Sequence, residues 1–428
     1  MTPAELALGR AIQRSRGFAR TLADAEPWLV GPFLVLGLMI PRLLGAALAA
    51  AAAFWVVRWI AWGRATVRTA GDWPVAVLIL LIPLTLWVTA LPDITRQQVL
   101  WLVSGIALYY TIANWMRTAG RERAVVFCLV GAGLLAALLA PVAVVWVTDI
   151  KLTVIPEALY RRLPLLAASP VHPNVLAGAL VLGLPVPLAL LMFDAGRMQR
   201  HERLAAAVAV TGIAAILVLT KSRGALLAAA AAALVLCVLR WRRGWIAIVV
   251  ATLLAGLGLW LIGLPQIVEK LSTTGATVGG PGRFEIWSRG VYLVQDFPFT
   301  GIGMGTYRQV TNALYPFFLL GPVADVPHAH NLFLQVAVDL GIPGLVAWLG
   351  LLFLAAFSAW RVYRSGRRDD VGWAAGLGAG LVCSQLALVI HGMLDAAVWG
   401  AHSGIVVWAL WGICMGSYNL RNTAYVRD

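Results

Sequence analysis

Twelve apolar stretches follow one another along this chain, and they constrain its fold more than any other feature. We place them at about 24–41, 43–62, 73–91, 98–116, 124–147, 173–193, 204–220, 222–239, 244–263, 330–360, 371–391 and 398–418. A helix of roughly 20 residues matches the ~30 Å hydrocarbon thickness of a bilayer. In hydrocarbon every backbone N–H and C=O must be paired within the segment, so such stretches become helices. The composition agrees, with 61% hydrophobic and 12% charged residues, where a soluble domain carries about a quarter charged ones. Soluble cores could not enclose this much apolar surface. The expected fold is an all-α polytopic membrane protein of about twelve transmembrane helices.

Charge orients the bundle. With the N-terminus inside, the inner segments hold 22 of the 33 basic residues. They include Arg10, Arg14, Arg16 and Arg20 before the first span, and Arg361, Arg364, Arg367 and Arg368 after the tenth. The expected topology is N-in and C-in. The formal charge of +14 follows largely from this bias. No nucleic-acid partner is expected, because the arginines are scattered over short loops and form no continuous patch. The basic stretch 9–20 reads as an interfacial helix on anionic lipid; it lacks the apolar core and cleavage site of a signal peptide.

Cys128, Cys237, Cys383 and Cys414 lie in apolar spans without CxxC spacing, as small buried hydrophobes do. No His, Cys or carboxylate cluster has metal-ligand spacing, so no metal and no cofactor are expected.

The chain divides into spans 1–9 with a basic tail (1–263), an outer loop (264–329) and spans 10–12 (330–428). An outer loop of some 66 residues is too long for a connector, and long loops in compact folds are usually functional. This one is partly helical by pattern, around Arg283-Phe-Glu-Ile-Trp-Ser-Arg289. Gly279-Gly-Pro-Gly282 precedes Arg283, and glycines before a helix start permit close backbone approach to an anion. The guanidinium adds a planar, permanent charge suited to phosphate. Arg289 either pairs with Glu285 one turn earlier or contacts substrate. Gly301-x-Gly303-x-Gly305 follows no βαβ strand and reads as a tight, backbone-packed turn.

Lys221-Ser-Arg223-Gly occupies a connection of almost no length between two spans. A cation beside hydrocarbon points to function or a specific anion. Arg223 is read as an anion ligand, and Lys221 as snorkelling to the interface. His328, His330 and Asn331 stand at the entrance to span ten. That stretch would be ~46 Å long as one helix, so Asp339-Leu-Gly341-Ile-Pro343-Gly344 should divide it. The positive end of a helix favours neutral imidazole, the form a general base requires. His391 and Asp395, four apart on one helical face, read as a buried structural pair or a supporting one. His172, His201 and His402 have no supporting constellation.

Taken in order, Ser222-Arg223-Gly224, Arg283 with Trp287, Pro298-x-x-Gly301-x-Gly303-x-Gly305, His328-x-His330-Asn331 and Asp339-x-Gly341-Ile-Pro-Gly344 resemble the O-antigen ligase and polymerase superfamily of bacterial inner-membrane glycosyltransferases. The resemblance covers roughly 205–360 directly. It implies transfer of a glycan from undecaprenyl diphosphate to an acceptor on the outer, periplasmic face; in the ligase the acceptor is lipid A–core oligosaccharide. It also implies a metal-independent, inverting reaction. On that basis Arg223 and Arg283, with Arg289, would hold the donor diphosphate, and His330 would be the base. His328 and Asn331 would orient it or the donor, while membrane lipid surrounds the polyprenyl tail. Arg161 and Arg162 are candidates for the phosphorylated core acceptor. An O-antigen polymerase or a protein O-oligosaccharyltransferase shares the donor chemistry. A twelve-span transporter is the alternative of another class, but the halves show no repeat and the ionisable residues gather at one face, away from the midplane.

Overall fold

The computed structural model describes residues 3–146, 160, 162–167, 170–194, 196–262, 280–321 and 324–422. Each of the twelve apolar stretches has a helical counterpart, with ends shifted by up to eight residues except at α1, which begins 21 residues before its stretch. In chain order these are α1 (Pro3–Met39), α2 (Pro41–Trp62), α3 (Asp72–Val88), α4 (Pro92–Trp115) and α5 (Ala119–Ala143). Then come α6 (Pro173–Gly183) and α7 (Pro185–Asp194), which together make one span, then α8 (Arg200–Leu219), α9 (Arg223–Arg240) and α10 (Trp245–Ile262). Two helices, α11 (Gly280–Asp296) and α12 (Tyr307–Leu314), belong to the large loop. The chain then forms α13 (Leu332–Arg368), α14 (Gly372–Gly392), a 3₁₀ turn at His402–Gly404 and α15 (Ile405–Arg421). Among the described residues there is no β-strand beyond one isolated bridge between Val144 and Val171. This is an all-α polytopic membrane protein.

Among the described residues, eight segments are long and apolar enough to cross a bilayer by length and composition, and α3 and α10 are shorter apolar helices. The two remaining stretches lie in α1 and α4, each for its own reason. The basic stretch 9–20 runs without a break into the first span, so α1 is one 37-residue helix and not a separate interfacial helix followed by a span. Helix α4 is enclosed by its neighbours and carries Ser104, Thr111 and Asn114 inside the bundle. Its polarity is turned inward, where it finds partners.

One such partner is Glu26 of α1, which accepts from Thr111 Oγ1 at 2.9 Å and pairs with Arg58 of α2, both nearly solvent-free. A second buried carboxylate, Glu122 of α5, takes both guanidinium nitrogens of Arg421 at 2.6 and 2.8 Å and the Trp373 indole at 3.0 Å. Buried charges are tolerated only when paired and hydrogen-bonded in this way.

Two glycine contacts fix the loop on the bundle. The helical path of α13 breaks at Gly341, which has φ 71° and ψ −176°, as the Gly-Ile-Pro-Gly pattern predicts. The loop backbone fills the break: Ile342 N–H donates to Pro298 O at 2.7 Å, and Ile302 N–H to Val338 O at 2.9 Å. A Cβ on Gly341 would lie 2.7 Å from the Phe299 carbonyl carbon, and one on Gly301 would lie 2.5 Å from the Asp339 carbonyl. Both glycines have φ in the left-handed region that L side chains avoid. Gly303 and Gly305 are left-handed too, so the triple-glycine stretch is the backbone-packed turn expected. Beyond this anchor the loop has its own apolar cluster, in which Ile286, Leu293, Tyr307 and Phe317 are buried together.

Candidate active site

The His328–Asn331 segment enters α13 through a tightly held turn. Asn331 is the N-cap: its Oδ1 accepts from the backbone N–H of Phe333 and Leu334, both at 3.0 Å. Its Nδ2 donates to Met393 O at 3.4 Å, which ties the cap to the segment after α14. Asn331 therefore holds the turn that carries His330 into α13. His330 has φ 48°, a left-handed backbone that costs a non-glycine residue of order 1 kcal/mol. His330 N–H donates to His328 Nδ1 at 3.2 Å, and the two imidazole rings lie 4.3 Å apart.

The residue facing both rings is Asp395. Its Oδ1 lies 3.7 Å from His328 Nε2 and 3.7 Å from His330 Nδ1. Helix α14 ends close against the start of α13, where a Cβ on Gly392 would lie 2.9 Å from Leu332, and this contact delivers Asp395 to the histidines. Asn174 of α6 holds the other carboxylate oxygen at 3.1 Å, and Ala396 N–H donates to Oδ1 at 2.8 Å. His172, read as having no supporting constellation, accepts from Asn174 N–H through Nδ1 and adds its field at His328. The pairing read from sequence, His391 with Asp395, is thus only part of the arrangement. The carboxylate serves the two histidines 65 and 67 residues upstream.

Arg283 completes the cluster. Near the start of α11, its Nη1 donates to Leu394 O at 2.8 Å, beside Asp395. Burial lowers its pKa, the charge of Arg223 lowers it further, and Asp395 opposes both. Arg223 is the first residue of α9 and is exposed, one residue after the Ser222 N-cap. Arg223 and Arg283, 60 residues apart in sequence, are therefore brought close enough for the charge of one to act on the other.

The local fields separate the two charge types. Burial pushes His328 down to about 4, with His330, His172 and Arg283 adding to the effect and Asp395 opposing it. His328 is neutral at pH 7. Burial alone would raise the Asp395 carboxyl, but His330, His328 and His391 outweigh it and hold the group well below the usual carboxylate range. Asp395 stays ionised.

Other expected residues are not brought here. Arg289 turns into the loop's own core: its Nη2 donates to Glu285 Oε1 at 3.2 Å, and its guanidinium stands 5.2 Å from the Phe318 ring. Glu285 also accepts from Phe318, Leu319 and Leu320 N–H, and these bonds hold its pKa down against the raising effect of burial. The ion-pair alternative is the one observed for Arg289. Arg161 lies outside the described residues, and Arg162 is exposed. Lys221 does not snorkel outward: it is buried, with its ammonium 4.4 Å from the Tyr160 ring.

Chemically, the cluster joins two permanent cations, two imidazoles and a carboxylate. The ligand atoms of His328, His330 and Asp395 all lie within 4.8 Å of one another, a grouping able to hold a metal ion. Sequence spacing could not show it, because the carboxylate comes from another helix. Two guanidinium groups beside the cluster act against a divalent cation and favour an anion.

Residues 207–349 match the family model described as O-antigen ligase. That span includes Arg223, Arg283, His328, His330 and Asn331, and ends before Asp395. No curated protein matches the chain.

Proposed function

The chain belongs to the O-antigen ligase superfamily, and on that premise we propose that it moves O-antigen polysaccharide from undecaprenyl diphosphate to lipid A–core oligosaccharide. The reaction takes place on the periplasmic face of the Gram-negative inner membrane, is inverting and needs no metal, and its product is lipopolysaccharide. A diphosphate is already a good leaving group, so the site mainly needs fixed positive charge where negative charge develops. Arg223 and Arg283 supply it. Arg289 drops from this set because Glu285 already neutralises it.

The observation that carries the assignment of the base is the use of imidazole nitrogens. His328 has both engaged, Nδ1 accepting from His330 N–H and Nε2 facing Asp395. His330 directs Nδ1 at Asp395, and among the described residues no hydrogen-bond partner meets its Nε2. At 3.7 Å the Asp395 contacts are longer than hydrogen bonds, as catalytic contacts often are before substrate binds. Asp395 favours the tautomer with the proton on Nδ1, which leaves the Nε2 lone pair for the acceptor. The acceptor hydroxyl oxygen attacks the anomeric carbon as its proton passes to His330 Nε2. The bond between that carbon and the diphosphate oxygen breaks, and its electron pair leaves with the undecaprenyl diphosphate. Attack opposite the leaving group inverts the anomeric centre.

Complementation of a Gram-negative strain lacking its O-antigen ligase, with the native core supplied, tests the reading. High-molecular-weight lipopolysaccharide ladders are expected, and His330→Ala should abolish them while the protein still accumulates in the membrane. A core band alone, with polymer accumulating on the lipid carrier, would replace ligase by polymerase or protein-directed transferase.

A further inference from the structure

Helix α13 runs from the His–Asp cluster to the opposite end of the bundle, and one of its long faces changes character on the way. Val346, Phe353, Phe357 and Trp360 are exposed along it, Phe353 by 69%. Positions 346, 353, 357 and 360 recur at intervals of seven, four and three, so they share one helical face. Phe353 and Phe357 stack with their rings 6.5 Å apart. On that face the next residues are Arg361, Arg364 and Arg368. With Tyr418 and Arg421 of α15 they line a cavity of about 440 Å³, within the usual size of a small-ligand site.

Charge in the cavity is unbalanced. Arg421 is bound by Glu122 and Arg368 lies against Asp369. Arg361 and Arg364 are exposed, and among the described residues neither forms a salt bridge with a carboxylate. Four guanidinium groups thus face two carboxylates, and the excess is cationic.

We propose that this end of α13 is a binding site for one anionic diacyl phospholipid. Its phosphodiester sits between Arg361 and Arg364, and its acyl chains lie on the Phe353–Phe357–Trp360 stripe. The dimensions suit this occupant. Phe353 lies eleven residues before Arg364, about 16 Å along the axis, which is close to half of the ~30 Å hydrocarbon thickness. A headgroup held at the arginines therefore brings its chains down the whole aromatic stripe to mid-membrane. A free phosphate would use the arginines and leave the stripe bare. The charge bias of the sequence assigns this end to the cytoplasmic leaflet, where basic recesses between helices bind anionic headgroups. The site lies at the opposite end of α13 from the transfer chemistry and does not depend on it.

The test uses the purified full chain in a neutral detergent, with bound lipid counted by native mass spectrometry. The probes are dioleoylphosphatidylglycerol, dioleoylphosphatidylcholine and inorganic phosphate. Phosphatidylglycerol should be retained at one molecule per chain and raise Tm, with at least fivefold preference over phosphatidylcholine. Arg361→Gln with Arg364→Gln should remove that preference, and each single change should reduce it. Both side chains are exposed, so the variants fold. Arg242→Gln with Arg243→Gln removes equal charge from the loop after α9, where the Arg240 guanidinium and Arg367 line a neighbouring recess, and should leave retention unchanged. Equal retention of the two lipids would overturn the proposal. So would equal loss in both double variants, which means diffuse charge and no site. A Tm rise with inorganic phosphate matching that with phosphatidylglycerol would also overturn it, since the stripe would then contribute nothing.

Discussion

Asp395 sets the behaviour of the two histidines it faces, and its removal should separate positioning from proton transfer. Asp395→Asn keeps the shape but weakens the preference for the reactive His330 tautomer. Transfer should fall by about 10–100-fold, through kcat more than through KM for the acceptor. His330→Ala removes the proposed base, and a loss of about 10²–10⁴-fold is expected. If the two variants lost equal activity and equal Tm, Asp395 would be structural. Acid stability gives a second measure. Because the His328 pKa in the folded protein is about 4, below the ordinary ~6.5, the unfolded chain binds more protons between these values. Stability is therefore full above about pH 6.5 and declines as pH falls towards 4. Asp395, held low, adds its loss only below about pH 4. Tm measured from pH 7 to 4 should fall, and His328→Gln should flatten the slope. Arg223→Ala should raise KM for the lipid-linked donor more than for the acceptor; kinetics with only the acceptor affected would remove Arg223 from the diphosphate. At this scale the sequence shows residue types well and partners poorly. His330, Arg223 and Arg283 stand out because polar groups are rare near hydrocarbon. Asp395 was hidden behind its local i−4 neighbour His391, and Asn174 comes from a helix 221 residues away. Arg289 stood out for the same reason as Arg283, and only burial beside Glu285 tells the two apart.

Among the elements, α13 repays attention because its interruption is built from two distant stretches of sequence. Pro298–Gly301 and Asp339–Gly341 are complementary backbones: each glycine lies where a Cβ would strike the other strand of chain. Gly341→Ala and Gly301→Ala should each lower Tm and reduce transfer together, since the break positions the short helix after His330. A variant that lost Tm but kept the wild-type rate per folded molecule would separate the break from the site. The break itself was legible, because Gly-Ile-Pro-Gly cannot continue a helix. The reach of α1 was not: arginines between 9 and 20 mark a headgroup region, but charge alone does not end a helix. Asn331 was legible as a residue of interest, yet its work is to cap a helix, which the sequence offers equally to any Asn before an apolar stretch.

For the whole molecule, the cationic face and the three-ligand grouping make opposite demands, and one experiment decides between them. Transfer assayed after exhaustive chelation should retain its rate, because in the proposed mechanism Arg223 and Arg283 provide the charge. Loss on chelation with recovery on adding zinc or magnesium would make the grouping of His328, His330 and Asp395 a working metal centre. The membrane class and the order of spans were legible at this scale, because hydrocarbon imposes one length on every helix. The meeting of α6, α9, α11, α13 and the segment after α14 at one site was not, since no local pattern records which helices become neighbours.

The interlocked glycines also limit how such proteins can be recombined. The loop and the first turns of the following span are two halves of one joint, so evolution is free to exchange them only as a pair. A hybrid that takes its outer loop from a related transferase should fold only when the transplanted piece continues past Gly344. The same joint predicts that substitutions at 299, 301, 339 and 341 will be inherited in step among homologues. The portable unit of specificity in this fold is the loop together with its hinge.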